Sequence, residues 1–218
     1  MTIAQRTQVK ICGLTREVDV EAAVEAGADA IGFVFYPQSP RFVLPQRAAQ
    51  LAREVPPFVT VTALFVNSGP AEIKMVLEEV PVNLLQFHGD ESEEACRCWS
   101  RPYIRAARVR PGMDLVQYAA DFASARGILL DAFVEGYGGG GQIFDWTAIP
   151  ENMPKAVVLS GGLTPENVGE AVRRVRPSAV DVSSGVEIAK GIKDAAKIAA
   201  FMAAVRAVNK ERGFDGSL

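Results

Sequence analysis

The chain has 218 residues, 49% hydrophobic and 22% charged, the balance of an ordinary globular protein and not of a disordered or fibrous one. Its 23 Lys and Arg against 26 Asp and Glu give a net charge of −3, so no global attraction to nucleic acid or to an anionic membrane exists, and any anion must be held by a local site. The best candidate for a membrane span, residues 198–205, is closed off by Lys197 and Arg206, far short of the ~18–20 apolar residues required. The start MTIAQRTQVK has no signal-peptide core, and three cysteines do not suit a disulfide scaffold, so a cytoplasmic protein is expected.

Taken in chain order, short β-branched and aliphatic runs alternate with stretches of helical periodicity. Gln8–Cys12 is the first predicted strand. It ends on Cys12 with Gly13 behind it, and Lys10 lies two residues earlier on the same face, where its charge could favour a thiolate. A helix over 17–26 stops at Gly27, a good residue for a helix end. Ala30–Val34 follows, then a loop stiffened by Pro37 and Pro40 that carries Arg41, whose planar guanidinium suits bidentate recognition of a carboxylate. A helix over 45–54 opens on a first-turn proline.

The third and fourth strands are 59–65 and Leu84–Phe87, the latter followed by His88, the single histidine, expected to line the pocket. Strands 103–107 and 127–131 come next, and the second ends on Asp131. A carboxylate there, with no basic neighbour in sequence, would be partly desolvated, an environment that favours the protonated acid. After strand 157–160 stand Gly161 and Gly162, then a helix over 164–175 with Thr164 as its cap and Pro165 in its first turn. Ala179–Val182 is the eighth strand, followed by Ser183, Ser184 and Gly185. A long Ala-rich helix over 193–209 precedes a solvated tail, 210–218.

The strand starts recur about every 24 residues, the length of one unit of an eightfold βα barrel. No linker or composition shift divides the chain, so the fold class is α/β, a single (βα)8 TIM barrel spanning 1–218. In such a barrel the chemistry sits in the loops after the strands. Glycines after strand seven and Ser-Ser-Gly after strand eight suit a phosphate cradle of backbone N–H groups and hydroxyls. Other signals fail: Gly136, Gly138 and Gly141 fit a dinucleotide motif but do not open a helix behind a strand, and one histidine with Cys96 and Cys98 makes no zinc set. Neither a metal nor a cofactor is expected.

Lys10-Ile11-Cys12-Gly13, Gly32 to Arg41, Gln86-Phe87-His88-Gly89, Leu129-Leu130-Asp131, residues 138–146, Leu159 to Leu163 and Asp181 to Glu187 together resemble the phosphoribosylanthranilate isomerase family of tryptophan biosynthesis, in the family's order and over nearly the whole chain. Two departures stand out: residues 138–141 are all glycine where the family often has a hydroxyl, and Phe87 replaces a common leucine. The resemblance implies an Amadori rearrangement of N-(5-phosphoribosyl)anthranilate by acid–base catalysis, with Cys12 as base and Asp131 as acid. It also implies that Arg41 binds the anthranilate carboxylate and that Gly161, Gly162, Ser183, Ser184 and Gly185 hold the phosphate; His88, from its place at the end of the fourth strand, is expected to bind substrate as well. The partner is then a small phosphorylated molecule, neither nucleic acid nor membrane, bound by a monomer or homodimer. The rival histidine-pathway sugar isomerase would want an aspartate where Cys12 stands and a second phosphate cradle. A catalytically silent phosphate-binding barrel would have no use for both Cys12 and Asp131.

Overall fold

The computed structural model describes residues 6–132 and 145–214, so the glycine run 136–141 lies outside the described residues. β1 (Gln8–Cys12), β2 (Ala30–Val34), β3 (Thr60–Phe65), β4 (Leu84–Phe87), β5 (Tyr103–Val109), β6 (Gly127–Ala132), β7 (Ala156–Leu159) and β8 (Ala179–Val182) form a closed barrel in chain order. Every neighbouring pair is parallel, and β8 returns to β1.

Alternation along each strand gives two cores. Ile11, Ile31, Phe33, Phe65, Leu85, Leu130 and Val180 point outward and pack with Phe201, Met202 and Val205 under the helices. Inside the barrel lie two smaller apolar groups, Cys12 with Val34, Leu64 and Val66, and Ile104 with Ala106 and Leu129. The same inward phase carries the buried polar residues Lys10, Thr62, Gln86 and Asp181, so the barrel interior is far more polar than its outer jacket.

The jacket consists of α1 (Glu17–Glu25), α2 (Pro45–Ala52), α3 (Pro70–Glu79), α4 (Glu93–Arg97), α5 (Leu115–Asp121), α6 (Val168–Val175) and α7 (Ala195–Glu211). Local chemistry starts most of them. Pro45 and Pro70 open α2 and α3, while Ser92, Asp114 and Asp194 accept first-turn N–H groups of α4, α5 and α7. Between β6 and β7 the described residues form only a short 3-10 turn, Trp146–Ala148.

Three expectations need correction. The sixth helix starts at Val168 and not near Thr164, because the Asn167 side chain accepts from the Thr164 N–H (2.8 Å) and donates to the Gly162 carbonyl (2.9 Å), holding the preceding residues as a turn. Lys193 does not begin the last helix: with β9 (Glu187–Ala189) and β10 (Ile192–Lys193) it forms an unforeseen antiparallel hairpin after β8, and Asp194 caps the helix behind it. The tail is shorter than expected. Lys210 and Glu211 belong to α7, Glu211 pairs with Arg173 (2.8 Å), and Arg212 lies over the Phe214 ring.

α7 is tied to the start of β1 by Asn209, whose Oδ1 accepts from the Thr7 N–H (2.8 Å) and whose Nδ2 donates to the Thr7 carbonyl (2.9 Å), all buried. Asn209→Ala strands both backbone groups of Thr7, and each orphaned group costs about 1–3 kcal/mol, so a loss of about 2–6 kcal/mol is expected. Urea midpoints measure it; a change below ~0.5 kcal/mol would show that water replaces the amide at no cost.

Candidate active site

Closure of the barrel brings the ends of β1 and β6 to one mouth, so Cys12 and Asp131 face a shared space although they stand 119 positions apart in the chain. Gly13 turns the chain away from Cys12 with φ +75°, and a Cβ there would stand 2.5 Å from Arg41 Cδ and 3.1 Å from Ser183 Oγ. Glycine at that position is therefore what lets the loops after β2 and β8 close over the end of β1.

Arg41 is not a free surface group. Its Nε and Nη2 donate to Glu187 Oε1 and Oε2 at 2.7 and 2.8 Å, a buried fork that fixes the plane of the guanidinium and leaves its Nη1 side unused by that carboxylate. The β9–β10 hairpin places Glu187 there, with Lys193 opposite it in register and Lys193 Nζ 2.8 Å from Glu187 Oε1. The same ammonium donates to the Ser183 carbonyl (3.0 Å) and to Ser183 Oγ (3.2 Å). Ser183 is thereby anchored with its hydroxyl proton still available to a ligand. Burial pushes the Glu187 carboxyl up, but Arg41 and Lys193 outweigh it and hold the group below the usual carboxylate range. Burial also pulls the Lys193 ammonium below an ordinary lysine, against the pull of Glu187.

Asp131 has no basic neighbour in sequence, but the fold brings it one. His88 Nε2 lies 3.1 Å from Asp131 Oδ2, and Gln86 Nε2 lies 3.3 Å from His88 Nδ1, a chain that runs from the barrel interior to the mouth. If the Gln86 amide donates, His88 accepts at Nδ1 and presents its proton at Nε2 to the carboxylate. The other Asp131 oxygen faces the loop after β7, where a Cβ on Gly161 would come within 2.8 Å of Oδ1.

The two loops proposed as a phosphate cradle are in direct contact. Gly161 and Gly162 adopt φ of +81° and +64°, a backbone that other residues rarely take. Gly185 sits in the 3-10 turn Ser184–Val186, and a Cβ on it would fall 1.9 Å from the Leu163 carbonyl. Side-chain-free backbone is thus what lets the turns after β7 and β8 nest together.

Burial and Lys10 act against each other at Cys12. Burial pushes the thiol up, Asp181 adds to that, and the charges of Lys10 and Lys193 pull it down; the balance lies above an ordinary cysteine. The expectation that Lys10 alone would favour a thiolate is therefore corrected. Lys10 spends its charge largely on Asp181, 2.9 Å away and opposite it in the β1–β8 ladder. Asp181, Glu187, Lys193 and Gln86 were not assigned roles from sequence. The one available signal was a charged residue in mid-strand, Asp181 within Ala-Val-Asp-Val.

A family model described as N-(5'phosphoribosyl)anthranilate (PRA) isomerase matches residues 9–204. The N-(5'-phosphoribosyl)anthranilate isomerase of Dechloromonas aromatica (strain RCB) is 68% identical over 201 residues, covering 92% of this chain and 97% of that protein. The crystal structure of phosphoribosyl anthranilate isomerase from Thermotoga maritima superposes with a TM-score of 0.86 at 42% identity, over 92% of this chain and 99% of that one. A phosphoribosyl anthranilate isomerase structure in complex with reduced 1-(o-carboxyphenylamino)-1-deoxyribulose 5-phosphate gives 0.82 at 40% identity, over 92% and 99%.

The Arg41–Glu187–Lys193 cluster has a pH signature. Because the folded Glu187 titrates below its unfolded value of about 4.3, its contribution is complete above that pH and is lost as pH falls through the lower, folded value. Glu187→Gln should be less stable at neutral pH, having left two buried cations without their anion, yet lose less further stability on acidification than the parent. Urea midpoints between about pH 3 and pH 7 compare the two curves. Parallel acid limbs would show that Glu187 carries no such linkage.

Proposed function

The chain belongs to the N-(5'-phosphoribosyl)anthranilate isomerase family, isomerases of tryptophan biosynthesis, and from that premise we propose how its residues divide the rearrangement. The observation that carries the reading is the pairing, at one barrel mouth, of a thiol on β1 and a histidine-backed carboxylate on β6, with the nested glycine turns of β7 and β8 beside them.

The phosphate of N-(5-phosphoribosyl)anthranilate takes the backbone donors around Gly161, Gly162 and Gly185 and the hydroxyls of Ser183 and Ser184. Its anthranilate carboxylate takes the side of Arg41 that Glu187 leaves unused, a contact whose geometry Glu187 has preset. Between these anchors the ribose lies with one face to Cys12 and the other to Asp131. Asp131, entering as the acid, protonates the ring oxygen as the nitrogen lone pair opens the ring to the Schiff base, and His88 Nε2 donates to the carboxylate that is left. The Cys12 thiolate next removes the proton at C2′, giving the enolamine, which relaxes to the 1-deoxyribulose ketone. Substrate and product are isomers, so the proton given by Asp131 is balanced by the one taken by Cys12. This chemistry asks only for acid and base. The reading also puts the enzyme in the cytoplasm; no helix among the described residues is long and apolar enough to cross a membrane.

A positioned acid or base is worth about 10²–10⁴ in rate, so Cys12→Ala and Asp131→Asn should each lower kcat by at least that range with KM little changed. Turnover of fluorescent phosphoribosylanthranilate gives both constants, and near-normal kcat in Cys12→Ala would remove the thiol from the mechanism.

Arg41→Ala should act on binding instead. Loss of a hydrogen bond to a charged group predicts about 1.5–3 kcal/mol in kcat/KM, carried mainly by KM. An unchanged KM would mean that Arg41 serves only to hold Glu187.

A further inference from the structure

Lys10 and Asp181 are two full charges buried inside the barrel, at 4% and 5% exposure, and neither reaches the substrate in the reading above. They stand opposite one another in the β1–β8 ladder, with Lys10 Nζ 2.9 Å from Asp181 Oδ1. Lys10 shares its inward face with Cys12, two residues along, so the ammonium also stands beside the sulfur. From β2, Gly32 closes the space over both groups: a Cβ there would lie 3.0 Å from Cys12 Sγ and 3.0 Å from Lys10 Nζ. One ammonium thus donates to a carboxylate and stands beside a sulfur, with Gly32 leaving no side chain over either.

Few other groups compete for that sulfur. β2 and β3 contribute apolar Val34 and Leu64, Val66 follows β3, and Tyr36 packs beside them from the loop after β2. From β8 comes Asp181, and from β10 comes Lys193, whose ammonium is occupied by Glu187 and Ser183. A buried ion pair of this kind is poor value as a source of stability, since apolar residues of similar size often serve as well. Its position against the thiol supplies a different reason for it.

We propose that the Lys10–Asp181 pair sets the protonation of Cys12, Lys10 holding the thiolate and Asp181 limiting how much of the lysine charge the sulfur feels. The two are positioning residues with opposite signs of effect. In the resting site the proton stays on sulfur, which keeps a buried thiol unreactive; when it leaves for bulk water, the Lys10 ammonium, already in place, faces the new anion. The directions already noted agree: Cys12 pulled down by Lys10 and pushed up by Asp181, and Lys10 held above an ordinary lysine by Asp181 and Cys12 although burial works against it. The inference rests on Cys12 as the base only for its consequence in turnover, not for the titration itself.

Cysteine labelled with carbon-13 at Cβ reports thiol ionisation directly by NMR, and Cys12→Ser assigns the Cys12 signal apart from Cys96 and Cys98. Lys10→Met should move the Cys12 midpoint up by about one pH unit or more, and Asp181→Asn should move it down by a similar amount, the usual reach of a neighbouring charge. Lys10→Arg, which keeps the charge, should stay nearer the parent than Lys10→Met does. The double variant Lys10→Met/Asp181→Asn should fall between the two single ones. If Asp181→Asn does not fold, because its lysine is left unpaired, the double variant must still titrate below Lys10→Met. Both single variants shifting the same way, or the double variant titrating level with Lys10→Met, overturns the proposal. If the midpoints move in the stated order while the pH profile of kcat/KM stays fixed, the pair does control the thiol, and it is the assignment of Cys12 as catalytic base that fails.

Discussion

The ladder between β1 and β8 sets Gln8, Val9, Lys10 and Ile11 opposite Ala179, Val180, Asp181 and Val182, and with it the eight strands become a closed barrel. Register here decides more than closure. Because side chains alternate, a slip of one residue would turn Lys10, Cys12 and Asp181 out among the helices and bring Ile11 and Val182 inside. The same register brings the end of β1 under the loop after β8, where Gly13 admits Ser183 and Arg41. Every contact at the mouth depends on that alignment.

Buried charge is concentrated on the side of the barrel where the chain closes. Lys10 with Asp181 and Arg41 with Glu187 and Lys193 lie within β1, β8 and the segments that follow β2 and β8. Burying ions costs several kcal/mol each unless geometry and hydrogen bonds are good, and pairing them rarely yields a net gain in stability. What such pairs do supply is orientation. Arg41 is held in one plane, Ser183 is tethered through Lys193, and the field at Cys12 has a defined source. A third buried pair, Arg105 with Glu91, lies on the outward face of β5 and braces the loop after β4 through the Phe87 and Gly89 carbonyls, just where His88 leaves the strand.

The two sides of the mouth are therefore built differently. Around Cys12 the control is electrostatic and inside the barrel, from charges that no solvent screens. Around Asp131 it is a hydrogen-bonded chain through His88 to Gln86, with the carboxylate partly open toward the loop after β7. Opposite demands explain the contrast. On the proposed reading, the base needs a cation to face its anion once the proton has left, whereas the acid needs a hydrogen-bond donor to hold the carboxylate it becomes.

Local pattern was enough for much of this protein. Alternating runs and turn residues place eight strands in order, several within a residue of their observed ends, and the position of Cys12, His88 and Asp131 at strand termini marks the mouth of a barrel from sequence alone. Those features depend on residues a few positions apart, which is the range over which periodicity and capping act. The partners of the site residues are not local. Lys10 and Asp181 are 171 residues apart, Arg41 and Glu187 are 146 apart, and His88 and Asp131 are 43 apart. Their meeting is set by the ladder register and by where the β9–β10 hairpin folds back, and no short pattern encodes either. Lys193 shows the difference most plainly: by composition it reads as the start of an Ala-rich helix, and only the pairing of its strand with Glu187 turns its ammonium into the barrel mouth, because a cross-strand bond to a buried carboxylate outweighs one more turn of helix.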